Sequence, residues 1–79
     1  MKNERGYRNL MRLIGFNLKA YRTRKEETQA QMARRLDCSE KYYQALERGD
    51  KALSTRTLWK LAEKLECSVQ DLLQIKLDS

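Results

Sequence analysis

A chain of 79 residues suffices for one domain with a small core and is too short to enclose the deep pocket that most enzymes need. Its 17 Lys and Arg against 11 Asp and Glu give a formal charge of +6 and a pI near 9.6, which suits a polyanion, nucleic acid first and an anionic membrane second. No apolar run approaches the ~20 residues that span a bilayer, and MKNERGYRN lacks the apolar centre of a signal peptide, so the expected location is cytoplasmic.

The basic excess is uneven. Residues 1–27 hold eight basic and three acidic side chains, residues 28–79 nine and eight. Residues 1–9 read as a basic arm carrying Lys2, Arg5 and Arg8, able to wrap a duplex or to remain a solvated terminus, and residues 10–77 as the domain proper. With no Pro and three Gly, no strand-like alternation and no linker, the expected class is all-α. A first helix is expected from about Tyr7 to Arg22 or Arg24, with Leu10, Ile14, Leu18 and Tyr21 on its inner face.

After the polar run TRKEE, Thr28 and Gln31 form a capping box and start a second helix at about Gln29. Met32, Ala33 and Leu36 make its inner stripe, the small Ala33 allowing another helix to cross closely, while Arg34 and Arg35 face solvent. Asp37 and Cys38 break the pattern. Ser39 caps a third helix from Glu40 to about Arg48, with Glu40 in the first turn where the helix dipole favours an acid. Tyr43, Leu46 and the stem of Glu47 face inward on it; Glu40, Lys41, Gln44 and, at the margin, Ala45 face outward. Gly49 is placed as a left-handed C-cap. Ser54 caps a fourth helix with Leu58, Leu61, Ala62 and Leu65 inward, and Ser68 with Asp71 starts a fifth through Val69, Leu72, Leu73 and Ile75.

Cys38 and Cys67 sit in parallel contexts, LDCS and LECS, and read as small buried hydrophobes in turns. Two separated Cys and no His offer neither a disulfide framework nor a zinc ligand set. Neither Cys has an evident base and no Gly-rich phosphate loop exists, so no enzyme, cofactor or metal is expected.

Two short helices joined by a three-residue turn, TQAQMARRLDCSEKYYQALERG, have the shape of a helix-turn-helix. Residues 14–73 resemble the Cro and lambda-repressor-like, or XRE-like, family of bacterial and phage regulators. The likeness is carried by IGFNLKAYR (Ile14 to Arg22), TQAQMARRLDCS (Thr28 to Ser39), ALERG (Ala45 to Gly49) and LWKLAEKLECSVQDLL (Leu58 to Leu73). It implies a compact five-helix domain with the helix-turn-helix at helices 2 and 3. Two features depart from the family pattern. Asp37 and Glu66 stand where the family has Gly; Asp takes a positive φ at modest cost and Glu less easily, so the turn at Glu66 is expected to be built differently. Glu40 places an acid at the first exposed position of the recognition helix.

The resemblance implies that Arg22 and Glu47 form an ion pair tying the first helix to the third, and that Gln29 bonds a DNA phosphate beside the free N–H groups of the second helix. The base-contact candidates are Glu40, Lys41, Gln44 and Ala45, a plain exposed helix face being the alternative for each: Lys can donate to guanine, Gln can pair with adenine, Glu can accept from cytosine N4 and Ala can meet a thymine methyl. Tyr42, Arg48 and Lys51 are the further phosphate candidates, a plain solvated or packing role being the alternative for each. Trp59, Val69, Leu73 and Ile75, with Leu77, make the C-terminal part more apolar than a solvated surface needs. They read as a dimer seam or as closure of the core. The expected partner is double-stranded DNA, bound by a homodimer at a short inverted repeat. The alternative is a protein-interaction module, antitoxin-like or accessory, with DNA binding secondary.

Overall fold

Four of the helices end in the same device, and it explains how so short a chain turns so sharply. The structure, a computed structural model, describes residues 4–74. Among these are α1 (Glu4–Arg24), α2 (Gln29–Arg35), α3 (Glu40–Arg48), α4 (Thr55–Lys64) and α5 (Val69–Leu73), with no strand. Each of α1 to α4 closes in a Schellman motif, in which two backbone N–H groups past the helix reach back to carbonyls of its last turn. After α1, Glu26 N donates to Thr23 O and Glu27 N to Arg22 O; after α2, Asp37 N to Arg34 O and Cys38 N to Ala33 O. After α3, Gly49 N donates to Leu46 O and Asp50 N to Ala45 O; after α4, Glu66 N to Glu63 O and Cys67 N to Ala62 O. The left-handed residue is Glu26, Asp37, Gly49 and Glu66 in turn, with φ of 57°, 60°, 78° and 58°. The turn at Glu66 is therefore built like the one at Asp37, against expectation: the two hydrogen bonds fix the left-handed geometry, and Glu adopts it at a conformational cost.

The starts are equally regular. Thr28 accepts from Gln31 N and Ser68 from Asp71 N, and in both the N3 side chain answers to the cap's own N–H, completing two capping boxes. Ser39 accepts from Tyr42 N and Ser54 from Thr57 N.

The core is a single cluster of Met11, Ile14 and Leu18 of α1, Met32, Ala33 and Leu36 of α2 and its end, Tyr43 and Leu46 of α3, Leu61, Ala62 and Leu65 of α4 and its end, and Leu72 of α5. Burying each large side chain contributes about 1.5–3 kcal/mol. α1 packs on α3 and α5, α2 on α3, and α4 on α5. Tyr21 and Leu58 pack against the cluster half-buried, as do Cys38 and Cys67.

One expected core residue is on the surface. Leu10 is 40% exposed and its neighbour Met11, 6% exposed, takes the inner position. The cause is Gly15, where an added Cβ would lie 2.4 Å from Glu47 O and 2.5 Å from Leu46 O. Only Gly admits so close an approach, and it turns the contact line of α1 toward Met11, Gly15 and Leu18. On the opposite flank α5 is held at Asn17, two turns beyond Leu10: Asn17 Nδ2 donates to Leu72 O at 2.7 Å and Gln74 O at 3.0 Å. At Gly49, which has the expected left-handed cap geometry, a Cβ would meet Arg12 Cα at 2.9 Å, so α1 also crosses the end of α3 with no room to spare. α1 begins at Glu4, three residues before the expected start, so residues 4–9 of the expected arm are its first turns. Lys2, Ile75 and Leu77 lie outside the described residues.

Candidate functional site

The orientation of α3 is set by one carboxylate. Glu47 stands at the inner edge of α3 with its side chain 6% exposed, and receives four hydrogen bonds from three helices. Arg22 Nε donates to Oε2 at 2.6 Å and Nη2 to Oε1 at 3.3 Å, Tyr43 OH to Oε2 at 2.6 Å, and Gln29 Nε2 to Oε1 at 3.0 Å. Arg22 Nη1 also donates to Glu27 O at 3.0 Å, so the α1–α2 turn is drawn into the same network. Burial alone would push the Glu47 carboxyl up; the hydrogen bonds from Arg22, Tyr43 and Gln29 outweigh it and hold the group below the usual carboxylate range. The bond to Glu47 raises Arg22 further, and burial first, then Glu47, pushes the Tyr43 phenol well above its ordinary value, so Tyr43 remains a donor.

This hub leaves the other face of α3 to solvent. Glu40 and Lys41 are exposed, Gln44 and Ala45 half-buried, and Gln44 Nε2 lies 3.4 Å from Glu40 Oε2. Past the helix, Arg48 Nε donates to Asp50 Oδ2 at 2.9 Å, both side chains being well exposed, and Lys51 Nζ lies 5.7 Å from the centroid of the half-buried Tyr42 ring. The sequence candidates thus fall on one helix face and its C-terminal continuation, backed by Arg22, Tyr43 and Gln29. Gln29 is tied to Glu47 by one amide hydrogen, which leaves its second hydrogen for another acceptor.

Two ion pairs brace the helix-turn-helix from outside: Arg35 with Glu27, and Lys64 Nζ with Asp37 Oδ2 at 2.8 Å. Each lowers its carboxyl's pKa, chiefly through the hydrogen bond to its cation. Both lie at the surface, Glu27 half-buried, and contribute little to stability.

Trp59 of α4 is 51% exposed, while Val69 and Leu73 on the adjacent α5 are half-buried against the core. No group of three His, Cys, Asp or Glu that could hold a metal occurs among the described residues, and no helix among them is long and apolar enough to cross a membrane.

Three contributors are absent from the sequence candidates: the Tyr43 hydroxyl, Gly15 and Asn17. A Gly inside a helix costs about 1 kcal/mol relative to Ala, and that cost is the signal that could have marked Gly15 as a point of close approach. Asn17 carries no such signal, because its partner is 55 residues away in the chain; the Tyr43 hydroxyl meets Glu47 four residues on along α3, and that helical spacing is the signal that could have found it.

The chain matches a family model described as helix-turn-helix, HTH_3, over residues 18–72. Among solved structures it is similar to the clp gene regulator ClgR of Corynebacterium glutamicum, with 33% identity, TM-score 0.71, and 81% of this chain and 83% of that one covered. It is also similar to the restriction-modification controller protein C.AhdI of Aeromonas hydrophila, at 26% identity and TM-score 0.72, covering 84% and 96% of the two chains. A hypothetical transcription factor from Neisseria, NHTF, aligns at 25% identity and TM-score 0.74 over 82% and 75%. The curated proteins contain no match.

Proposed function

The chain belongs to the HTH_3 family of XRE-like helix-turn-helix DNA-binding transcription regulators, and from that premise we propose that it is a sequence-specific, non-enzymatic cytoplasmic regulator, acting as a homodimer on an inverted-repeat operator. The observation that carries this reading is the division of α3 into two faces. Its inner face is locked by Glu47 to Arg22, Tyr43 and Gln29, so the outer face is presented at a fixed angle. In B-DNA an α-helix fits the major groove. Lys41 and Gln44 then reach base edges, Glu40 accepts from a cytosine amino group, and the Ala45 methyl packs on a thymine methyl. Arg48, Lys51, the Tyr42 hydroxyl and the second amide hydrogen of Gln29 hold phosphates and set the register. Glu40 weakens general affinity for the polyanion and in exchange sharpens the choice of site.

The test is selection from random duplex DNA at about 0.15 M salt, near physiological ionic strength, followed by sequencing of the retained pool. An enriched inverted repeat is expected, with half-site centres about 34 Å, one duplex turn, apart. Lys41→Ala should lose discrimination at one position of each half-site, by about 1–3 kcal/mol, while melting as the parent does. Unchanged preference in that variant would refute the placement of α3. Retention without enrichment, together with a single stoichiometric protein partner in a pull-down, would instead favour a protein-interaction module.

A further inference from the structure

We propose that the N-terminal half of α1 is a second DNA-backbone clamp, a rigid helical edge that holds phosphates flanking those engaged by α3. This inference rests on the DNA-binding reading above. Arg5, Arg8 and Arg12 follow one another at i, i+3 and i+7, the spacing that puts side chains on one helix face. All three are exposed, and none makes an ion pair among the described residues. At Gly49 α1 passes over the end of α3 with Arg12 against the glycine, which sets this face beside the C-terminal end of α3. Between α1 and the α3–α4 loop runs an open trough of about 490 Å³, which has Arg8, Arg12 and Lys51 on its walls with Tyr7 beside them. Arg5 borders a second, contiguous depression on the same helix with Arg8 and Arg12.

The charges around the trough favour an anion. Glu4 and Asp50 are its acids, and Asp50 is neutralised by Arg48. That leaves Arg8, Arg12 and Lys51 against Glu4 in the trough, with Arg5 on the adjoining depression. From Arg5 to Arg12, seven steps along the helix, the three arginines span about 10 Å. A DNA strand rises about 3.4 Å along the duplex axis per phosphate while winding around it, so neighbouring phosphates lie farther apart than that rise and the three long side chains can each reach one. The trough meets the phosphate candidates that follow α3 at Lys51, which lies on its wall. The family match begins at residue 18, so the clamp sits on a part of α1 outside the matched segment.

Phosphate contacts are independent of sequence, so the probe is a random-sequence duplex of about 40 base pairs titrated between about 50 and 200 mM salt. The parent is compared with R5Q/R8Q/R12Q and with R5K/R8K/R12K, each checked for an unchanged melting curve. In the glutamine variant the slope of log affinity against log salt should be shallower by about 0.9 per phosphate lost, hence by about 2 to 3, and the lysine variant should keep the parental slope. Hydroxyl-radical protection on the selected operator should shorten at its flanks in the glutamine variant, with the selected sequence unchanged. A glutamine variant with the parental slope overturns the clamp and leaves the regulator reading intact. A parent that binds duplex DNA without salt dependence, or not at all, overturns both.

Discussion

Glu47 shows how one residue can act on function without touching the ligand. Its carboxylate is shielded from water and satisfied by four donors, and those donors come from α1, α2 and α3. Glu47→Gln keeps the volume but replaces two acceptor oxygens by one, leaving Arg22 and one of the other donors poorly compensated. The expected loss is about 3 kcal/mol at pH 7, in the range for breaking a shielded pair, measured by urea denaturation. The pH dependence identifies the cause. The folded-state pKa of Glu47 is lowered below its unfolded value, so its contribution is complete above the usual carboxylate pKa of about 4.3. It is lost as pH falls through the lower folded-state value. The gap between parent and E47Q should therefore close on acidification and stay constant from neutral to mildly alkaline pH. A gap that persists at low pH would mean that the negative charge of Glu47 is not what stabilises the hub. E47Q should also blunt sequence discrimination, because the angle of the whole α3 face depends on the hub.

At the scale of the element, the four repeated helix ends expose a stability that the chain has left unused. Gly occupies the left-handed position only after α3, where a side chain would also strike Arg12. After α4, Glu66 adopts φ 58° at a cost of about 1–2 kcal/mol. Part of this is returned by the smaller freedom of Glu over Gly in the unfolded chain. Glu66→Gly should then stabilise by about 0.5–1 kcal/mol, raising Tm by about 4 °C for a domain of this size. Asp37→Gly should gain less, because Asp tolerates this region better and the substitution removes the pair with Lys64. A calorimetric scan in which Glu66→Gly melts at or below the parent would rule out conformational strain at that turn. The same elements show what could be read in advance. Thr28, Ser39, Ser54 and Ser68 announce their helices because a cap acts within four residues, and the inner stripes of α2 to α4 follow from a single period. α1 resisted that approach: Leu10, Met11, Leu13 and Ile14 support more than one apolar stripe, and Gly15 decides between them through a contact with α3 that no local pattern carries. The outer face of α3 was legible because helix phase alone fixes it. The second attachment of Gln29 to Glu47 and the meeting of the Arg5, Arg8 and Arg12 edge with Lys51 depend on how helices cross.

For the whole molecule, one recognition helix reads too few base pairs to define a site, and phosphate contacts supply affinity without choice. Doubling the readout through a twofold axis solves this, provided that an apolar surface can be covered in the dimer. Trp59 is the candidate: half of its surface is open to water on α4, next to the partly buried Val69 and Leu73 of α5. Phe16 and Tyr7 of α1 are exposed as well, and exposed apolar side chains are ordinary on a protein surface, so the dimer must be tested through its consequences. Trp59→Glu should shift the protein from dimer to monomer in sedimentation equilibrium, because isologous contact sets the two carboxylates close to one another. Its operator affinity should fall steeply while the half-site preference, which belongs to α3, is retained. Adding about five base pairs, half a duplex turn, between the half-sites should have the same effect on the parent, by rotating one half-site to the opposite side of the DNA. A Trp59→Glu protein that remains dimeric would place the twofold axis elsewhere on the surface. A parent that is monomeric at concentrations saturating the operator, yet indifferent to half-site spacing, would show that each copy reads its site alone.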